Sequence, residues 1–215
     1  MHIEKLKNRT EAGQLLAKKL KQYKNSDSVV LAIPRGGVAV GYEIAKELHL
    51  PLDIVLSKKI GHPNNEEYAI GAVSMDSILL DEHPEVSKVY IQKKIEELQK
   101  ILQKKYQLYS SNQQPIELKD KNVIVVDDGI ATGNTLLACL TMIRKKNPAT
   151  IIVAVPVLPS DTVSIFQKNS DEFVYLIASN YFRGIGEFYD QFDQVEDTEA
   201  IEMLNQIRHN QQFIS

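Results

Sequence analysis

The sequence predicts an α/β fold: a doubly wound, mostly parallel sheet followed by a short aromatic segment and a terminal helix. Two observations carry that reading. Apolar runs of four to six residues alternate with helical patterns from residue 29 to about 177, the arrangement of repeated βαβ units. The runs are also unbroken instead of alternating, as in Val123-Ile124-Val125-Val126, which suits strands covered on both faces. With 215 residues, 43% of them hydrophobic, the chain can bury one good-sized core, so one domain with appendages is expected.

Residues 11–23 place Ala12, Leu15, Leu16, Leu20 and Tyr23 on one helical face with Thr10 as the N-cap, a packing helix. A strand at 29–33, the turn Pro34-Arg35-Gly36-Gly37, a helix to about residue 48 and a strand at 53–57 form a βαβ unit with parallel strands. Lys58 and Lys59 end that second strand. Residues 60–68 are rich in turn formers and read as a loop before short strands at 69–73 and 78–81. A Lys/Glu-rich helix is expected at 86–109, where Glu96 and Glu97 break the run of positive charge. The strand at 123–126 then leads into a helix from about Thr135 to Lys146, closed by Asn147-Pro148. A strand at 150–155, a helix at 160–168 and a strand at 173–177 complete the core. An aromatic, glycine-rich segment from 179 and a helix at 198–209 follow. The expected division is a core at 1–178, with a flexible loop at 60–68 and an inserted helix at 86–109, and an appended segment at 179–215.

The turn Asp127-Asp128-Gly129-Ile130-Ala131-Thr132-Gly133-Asn134-Thr135 carries the chemistry. Residues 132–135 open a helix, where unpaired N–H groups, hydroxyls and the positive end of the dipole face an anion such as phosphate. Asp127 and Asp128, at the carboxyl end of a strand, can accept hydrogen bonds from vicinal hydroxyls or hold hydrated Mg²⁺. The 34–37 turn falls on the same sheet edge, and Arg35 with two unhindered glycine N–H groups makes a seat for a second anion.

This stretch resembles the PRPP-binding signature of type I phosphoribosyltransferases. The order Pro-Arg-Gly-Gly, Lys-Lys-Ile-Gly, Ala-Ile-Gly-Ala-Val and Asp-Asp-Gly-Ile-Ala-Thr-Gly is similar to a stand-alone bacterial group of that family. The resemblance spans roughly residues 29–178 and implies the type I fold with a small C-terminal hood. It implies that Asp127 and Asp128 hold the ribose hydroxyls, and that the turn from Gly129 through Ile130, Ala131, Thr132, Gly133 and Asn134 to Thr135 holds the 5′-phosphate. Arg35, Gly36, Gly37, Lys58 and Lys59 would bind pyrophosphate, often around a strained peptide in this family. One of the two lysines would reach the ligand, with Lys59 named as catalytic. The 60–68 loop would close over the ribose, and Glu67 would meet the acceptor amine. Phe182, Phe188 or Tyr189 would offer the hood a face on which a base stacks.

The implied activity is transfer of ribosyl 5-phosphate from PRPP to an amine-type acceptor, a nucleobase first among them, with release of pyrophosphate. Mg²⁺ would enter mainly on PRPP, with Asp127 and Asp128 as further candidate ligands. A role in nucleotide and nucleoside metabolism and a homodimer are family expectations. Ala131 departs from hypoxanthine-guanine enzymes, which carry an aspartate next to the base. A methyl group cannot exchange a proton with a purine nitrogen, so a 6-oxopurine acceptor is disfavoured. The alternative is a PRPP-sensing regulator that performs no transfer.

Composition excludes other classes. A net charge of -3 and pI near 6.0 argue against nucleic acid as the main partner. The single cysteine, Cys139, sits among leucines of a helix and reads as a packing residue. With no run of 18 apolar residues and no signal-peptide core, a cytoplasmic protein without a membrane span is expected.

Overall fold

The computed structural model describes residues 4–111 and 113–212, apart from the side chains of Glu67 and residues 210–212. In chain order the elements are α1 (Arg9–Lys19), β1 (Ser28–Ala32), α2 (Gly36–Leu48), β2 (Leu52–Ile54), β3 (Lys58–His62), β4 (Asn65–Val73), β5 (Ile78–Leu80), α3 (Lys88–Ser110), β6 (Asn122–Val126), α4 (Asn134–Arg144), β7 (Thr150–Pro159), α5 (Val163–Asn169), β8 (Glu172–Ser179) and α6 (Asp197–Gln212). The main sheet runs β2-β1-β6-β7-β8, and all its strand pairs are parallel. The predicted architecture is therefore present, with β6 at the centre.

Successive strand residues point to opposite faces, and this divides the core in two. Val30, Ala32, Ile124, Val126, Ile152 and Ala154 pack under α1, α2, α3 and α6. Val29, Leu31, Val123, Val125, Ile151 and Val153 pack under α4 and α5. All four branched residues of β6 are fully buried. At about 1.5 to 3 kcal/mol for each buried aliphatic side chain, the strand that carries the acidic pair is firmly anchored, as is its neighbour β7.

Several boundaries differ from expectation. Helix α1 starts before Thr10, which lies inside it: Asn8, in extended backbone, is the N-cap and accepts the Glu11 N–H at 3.0 Å. The strand expected at 53–57 stops at Ile54. Lys58 and Lys59 do not end it but open β3, part of a separate antiparallel sheet β3-β4-β5. The expected loop at 60–68 is likewise a hairpin of β3 and β4, in which Pro63 and Asn64 alone form the tip. Gly61 accounts for the difference. The register shifts on both sides of it, and a Cβ there would lie 2.7 Å from the Glu66 carbonyl oxygen, so the glycine marks a bulge and not a loop. Helix α3 supports the hairpin, with the Tyr90 hydroxyl donating to the Gly61 carbonyl at 2.9 Å.

A buried acid ties the far side of the sheet together. Asp53 of β2 accepts from the Ile54 N–H at 2.8 Å, the Tyr106 hydroxyl at 2.8 Å and the Ile116 N–H at 3.2 Å, with Arg208 of α6 at 3.7 Å. Burial pushes its carboxyl above the usual range in spite of these partners. Helix α6 completes this layer, packing Ala200, Leu204 and Ile207 into the core against α2 and α3. Among the described residues no helix is long and apolar enough to cross a membrane.

Candidate active site

The two glycine-bearing turns meet at the carboxyl edge of β1 and β6, as adjacent parallel strands require. Ile33 N–H donates to the Val126 carbonyl at 2.9 Å, and the turn after it lies directly against the acidic pair. A Cβ on Gly36 would stand 1.8 Å from Asp128 Oδ2, and one on Gly37 would stand 2.8 Å from the Val126 carbonyl oxygen and 3.0 Å from Asp127 Cα. Both glycines are there because nothing larger fits. The peptide between Pro34 and Arg35 is cis.

The acidic pair is asymmetric. Asp127 Oδ1 accepts the Asp128 N–H at 2.8 Å. Burial first, and the neighbouring negative charge of Asp128 second, hold the Asp127 carboxyl well above the usual carboxylate range. Asp128 instead has a cation: Arg9 Nε donates to its Oδ2 at 2.8 Å. Its carbonyl accepts the Tyr189 hydroxyl, also at 2.8 Å.

Beyond the pair, the turn divides between packing and exposure. Gly129 touches Ile185, whose Cγ2 would lie 2.6 Å from a Cβ. Ile130 is a core residue whose N–H donates to the Val157 carbonyl at 2.8 Å, so its side chain is unavailable to a ligand. Ala131, Thr132, Asn134 and Thr135 line the start of α4, with Ala131, Thr132, and Thr135 exposed and Asn134 among the residues of the adjoining cleft. Gly133 caps that helix at φ 75°, a conformation that favours glycine, and Phe166 packs where its side chain would be. The first-turn N–H groups therefore face outward beside two threonine hydroxyls.

Arg35 stands at the start of α2, where Glu196 Oε2 and Asp197 Oδ1 approach its guanidinium at 3.7 and 4.0 Å. Asp197 is in turn held by the Tyr109 hydroxyl at the end of α3. Half-exposed pairs at these distances contribute little, about 0 to 1 kcal/mol, so Arg35 can exchange them for a bidentate anion. Lys58 and Lys59 are both exposed on β3. Lys59 lines an open cleft of about 710 Å³ between the hairpin and α4, together with Ser57, Asn134 and Thr135. It thus stands beside the helix-start cradle. Glu67 lies in β4, and its side chain falls outside the described residues.

The aromatic segment corrects one expectation outright. Tyr189 is 3% exposed and stacks on Phe192 with ring centroids 4.9 Å apart, so it offers no face to a base. Phe182 and Phe188 stack on each other at 5.4 Å, each half-buried.

Two glycine-bearing turns and an acidic pair thus share one sheet edge. A family model described as the phosphoribosyl transferase domain matches residues 2–187. The chain belongs to the phosphoribosyl transferase domain family. Rv0571c of Mycobacterium tuberculosis, provisionally named a phosphoribosyl transferase, is 34% identical over 203 residues, 92% of this chain and 46% of that protein. The chain thus spans about half the length of the curated relatives it matches. The crystal structure of TT1426 from Thermus thermophilus is 32% identical with a TM-score of 0.84, over 94% of this chain and 98% of that one. A hypoxanthine-guanine phosphoribosyltransferase of Bacillus anthracis shares the fold alone, at 14% identity and a TM-score of 0.50, over 89% and 95% of the two chains.

Arg9, Phe192, Glu196 and Asp197, which the sequence alone does not single out, also reach this candidate site. Arg9 leaves a trace. It is the first residue of α1, where the helix dipole disfavours a cation, and an arginine so placed calls for a carboxylate elsewhere.

Proposed function

We propose that the protein is a Mg²⁺-dependent phosphoribosyltransferase that moves ribosyl 5-phosphate from PRPP to an amine-type acceptor. The observation that carries this reading is how closely Gly36 lies against Asp128, where a Cβ would stand 1.8 Å from Oδ2, so that an anion-binding turn and a diol-binding carboxylate would share one cleft. In the proposed reaction the bond between C1 and the pyrophosphate oxygen breaks, its electron pair leaving with pyrophosphate. The acceptor nitrogen forms a bond to the oxocarbenium-like carbon and gives up a proton. Thr132, Thr135 and the N–H groups between them bind the 5′-phosphate. Asp127 and Asp128 orient the ribose hydroxyls and offset positive charge on the ring. Arg35 and the Gly36 and Gly37 amides stabilise the leaving pyrophosphate, and the β3-β4 hairpin excludes water, which would otherwise intercept the activated sugar.

The donor set fits a cation carried by the substrate. Among the described residues no group of three or more His, Cys, Asp or Glu side chains is placed to cage a metal, whereas Asp127 and Asp128 offer the oxygen ligands Mg²⁺ takes. When bound, Mg²⁺ neutralises charge on the pyrophosphate. Ala131, exposed in the turn before α4, keeps the acceptor on the side of adenine-like bases, pyrimidines or other amines. With Tyr189 buried, Phe182 and Phe188 are the rings left to meet it.

Calorimetric titration with PRPP and Mg²⁺, followed by a screen of bases for pyrophosphate release, tests the proposal. Binding that Asp128→Ala and Thr132→Ala each weaken, with release triggered by one acceptor class, is the expected result. Binding without release for any acceptor would leave a PRPP sensor, and no binding would overturn both readings.

A further inference from the structure

Residues 4–9 do more than lead into α1. Leu6 pairs with the hood as a parallel bridge to Tyr189: its N–H donates to the Phe188 carbonyl at 2.9 Å and its carbonyl accepts the Asp190 N–H at 2.8 Å. Gln191 N–H donates to the Lys7 carbonyl at 2.9 Å, and Lys5 pairs with Asp190 at 2.8 Å. Asn8 then caps α1, and this fixes where Arg9 emerges. Its guanidinium is held on three sides. Nε donates to Asp128 Oδ2 at 2.8 Å, Nη1 donates to the Asp193 carbonyl at 2.7 Å, and the Phe192 ring covers it at 3.9 Å. Only 12% of the Arg9 side chain and 13% of the Asp128 side chain are exposed, so solvent screens the pair weakly.

We infer that Arg9 is a positioning residue of the ribose site, fixing the Asp128 carboxylate between its guanidinium and the Gly36 backbone so that the substrate diol meets a preset acceptor. The inference rests on the phosphoribosyltransferase reading above, which is what gives Asp128 a diol to hold. Gly36 blocks one direction of movement for Oδ2 and Arg9 bonds it from another, so the carboxylate is set before substrate arrives. Two nitrogens of one rigid fork serve two partners, a division that the single ammonium of lysine cannot reproduce. Because Phe192 and Asp193 belong to the connection between hood and α6, this side chain couples both the hood and the N-terminal segment to PRPP binding, beside the direct bond from the Tyr189 hydroxyl to the Asp128 carbonyl.

The test is a double-mutant cycle read by calorimetric titration with PRPP and Mg²⁺: wild type, Arg9→Met, Arg9→Lys, Asp128→Asn and the Arg9→Met/Asp128→Asn pair, with thermal midpoints measured alongside. Arg9→Met should weaken PRPP binding about tenfold or more, as expected for a charge-assisted hydrogen bond. Arg9→Lys should recover part of the loss, and Arg9→Met should add nothing once Asp128 is Asn. Equal binding by Arg9→Met and wild type would overturn the inference, as would a loss that is just as large in the Asp128→Asn background. If Arg9→Met does not fold, Phe192→Leu, which keeps the guanidinium but uncovers it, must weaken binding by a smaller factor that also vanishes with Asp128→Asn; no change there overturns the inference too. Failure of the wild type itself to bind PRPP is a distinct outcome. It would remove the phosphoribosyltransferase reading and the inference with it.

Discussion

Replacing Gly36 by alanine puts one methyl group into the contact between the 34–37 turn and the acidic pair. That carbon would lie 1.8 Å from Asp128 Oδ2 and 2.4 Å from Cγ, against an ordinary contact of at least 3.4 Å, so one side must retreat by about 1.6 Å. The Gly36 backbone opens α2 and is tied to the buried sheet, whereas the carboxylate is held by side-chain bonds, so Asp128 should give way. A shift of that size breaks its 2.8 Å bond to Arg9. Losing a hydrogen bond between charged groups costs about 1.5 to 3 kcal/mol, and the gain from replacing glycine in a helix returns at most about 1 kcal/mol. The balance is a loss of roughly 0.5 to 3 kcal/mol, which at about 2 to 4 °C per kcal/mol for a chain of this size lowers the melting midpoint by several degrees. PRPP affinity should fall by about tenfold or more, because the displaced group is the one proposed to hold the diol. Scanning calorimetry and isothermal titration measure the two effects. Gly184→Ala is the control, since nothing lies within 4 Å of its Cβ position and its backbone, at φ 176°, is extended. A Gly36→Ala protein that melts and binds PRPP like the wild type would refute the reasoning.

Three further outcomes are expected. Asp127 holds its proton to a higher pH when folded than when unfolded, so its penalty on stability is absent below the ordinary carboxylate range and grows as pH rises toward its raised value. Asp127→Asn should therefore melt higher than wild type by a margin that widens from about pH 4 upward, while PRPP binding is lost; a margin that narrows with pH would contradict the assignment. Asp53→Ala should destabilise the fold by about 3 to 5 kcal/mol, as measured by denaturant unfolding, because it leaves Arg208 with the Tyr109 carbonyl but, among the described residues, no counter-charge, and strands the Tyr106 hydroxyl and two N–H groups; a loss under about 1 kcal/mol would show the network to be dispensable. Cys139 is buried, and its thiol is pushed up to about 11, chiefly by that burial. A thiol reagent should label it slowly until denaturant is added, and fast labelling of the native protein would be incompatible with this packing.

What can be read from the sequence is local. The unbroken run of β6, the alternating units and the turn from Asp127 to Thr135 announce themselves because strand burial and helix starts depend on neighbouring residues. The same is true of the Pro34 to Gly37 turn, whose partner strand β6 lies beside β1. The hairpin is hidden when turn formers are weighed one by one, because Gly61 serves a bulge that only pairing with β4 reveals. Tyr189 reads as an aromatic face, and its hydroxyl is instead spent on the Asp128 carbonyl across 61 positions of sequence. Arg9 hints at a carboxylate through its place in α1 but not at which one. Its partner stands 119 positions away, and no periodicity reports a contact of that kind.

The bond between Arg9 and the Asp193 carbonyl joins points 184 positions apart. A ribosome adding about 5 to 20 residues each second needs roughly ten to forty seconds to make both ends of it. During that interval β1, β2 and β6 can already pair, since the strands lie within the first 126 residues, but Arg9 has no Phe192 to cover it and Tyr189 has not yet reached Asp128. Three strands of the sheet can thus pair before β7 and β8 are made, and before the contacts around Asp128 are complete. A chain stopped before Tyr189 should therefore keep much of its secondary structure while Asp128 lacks the Tyr189 bond and Arg9 lacks the Phe192 ring, so the acidic pair is set only once those residues have been made.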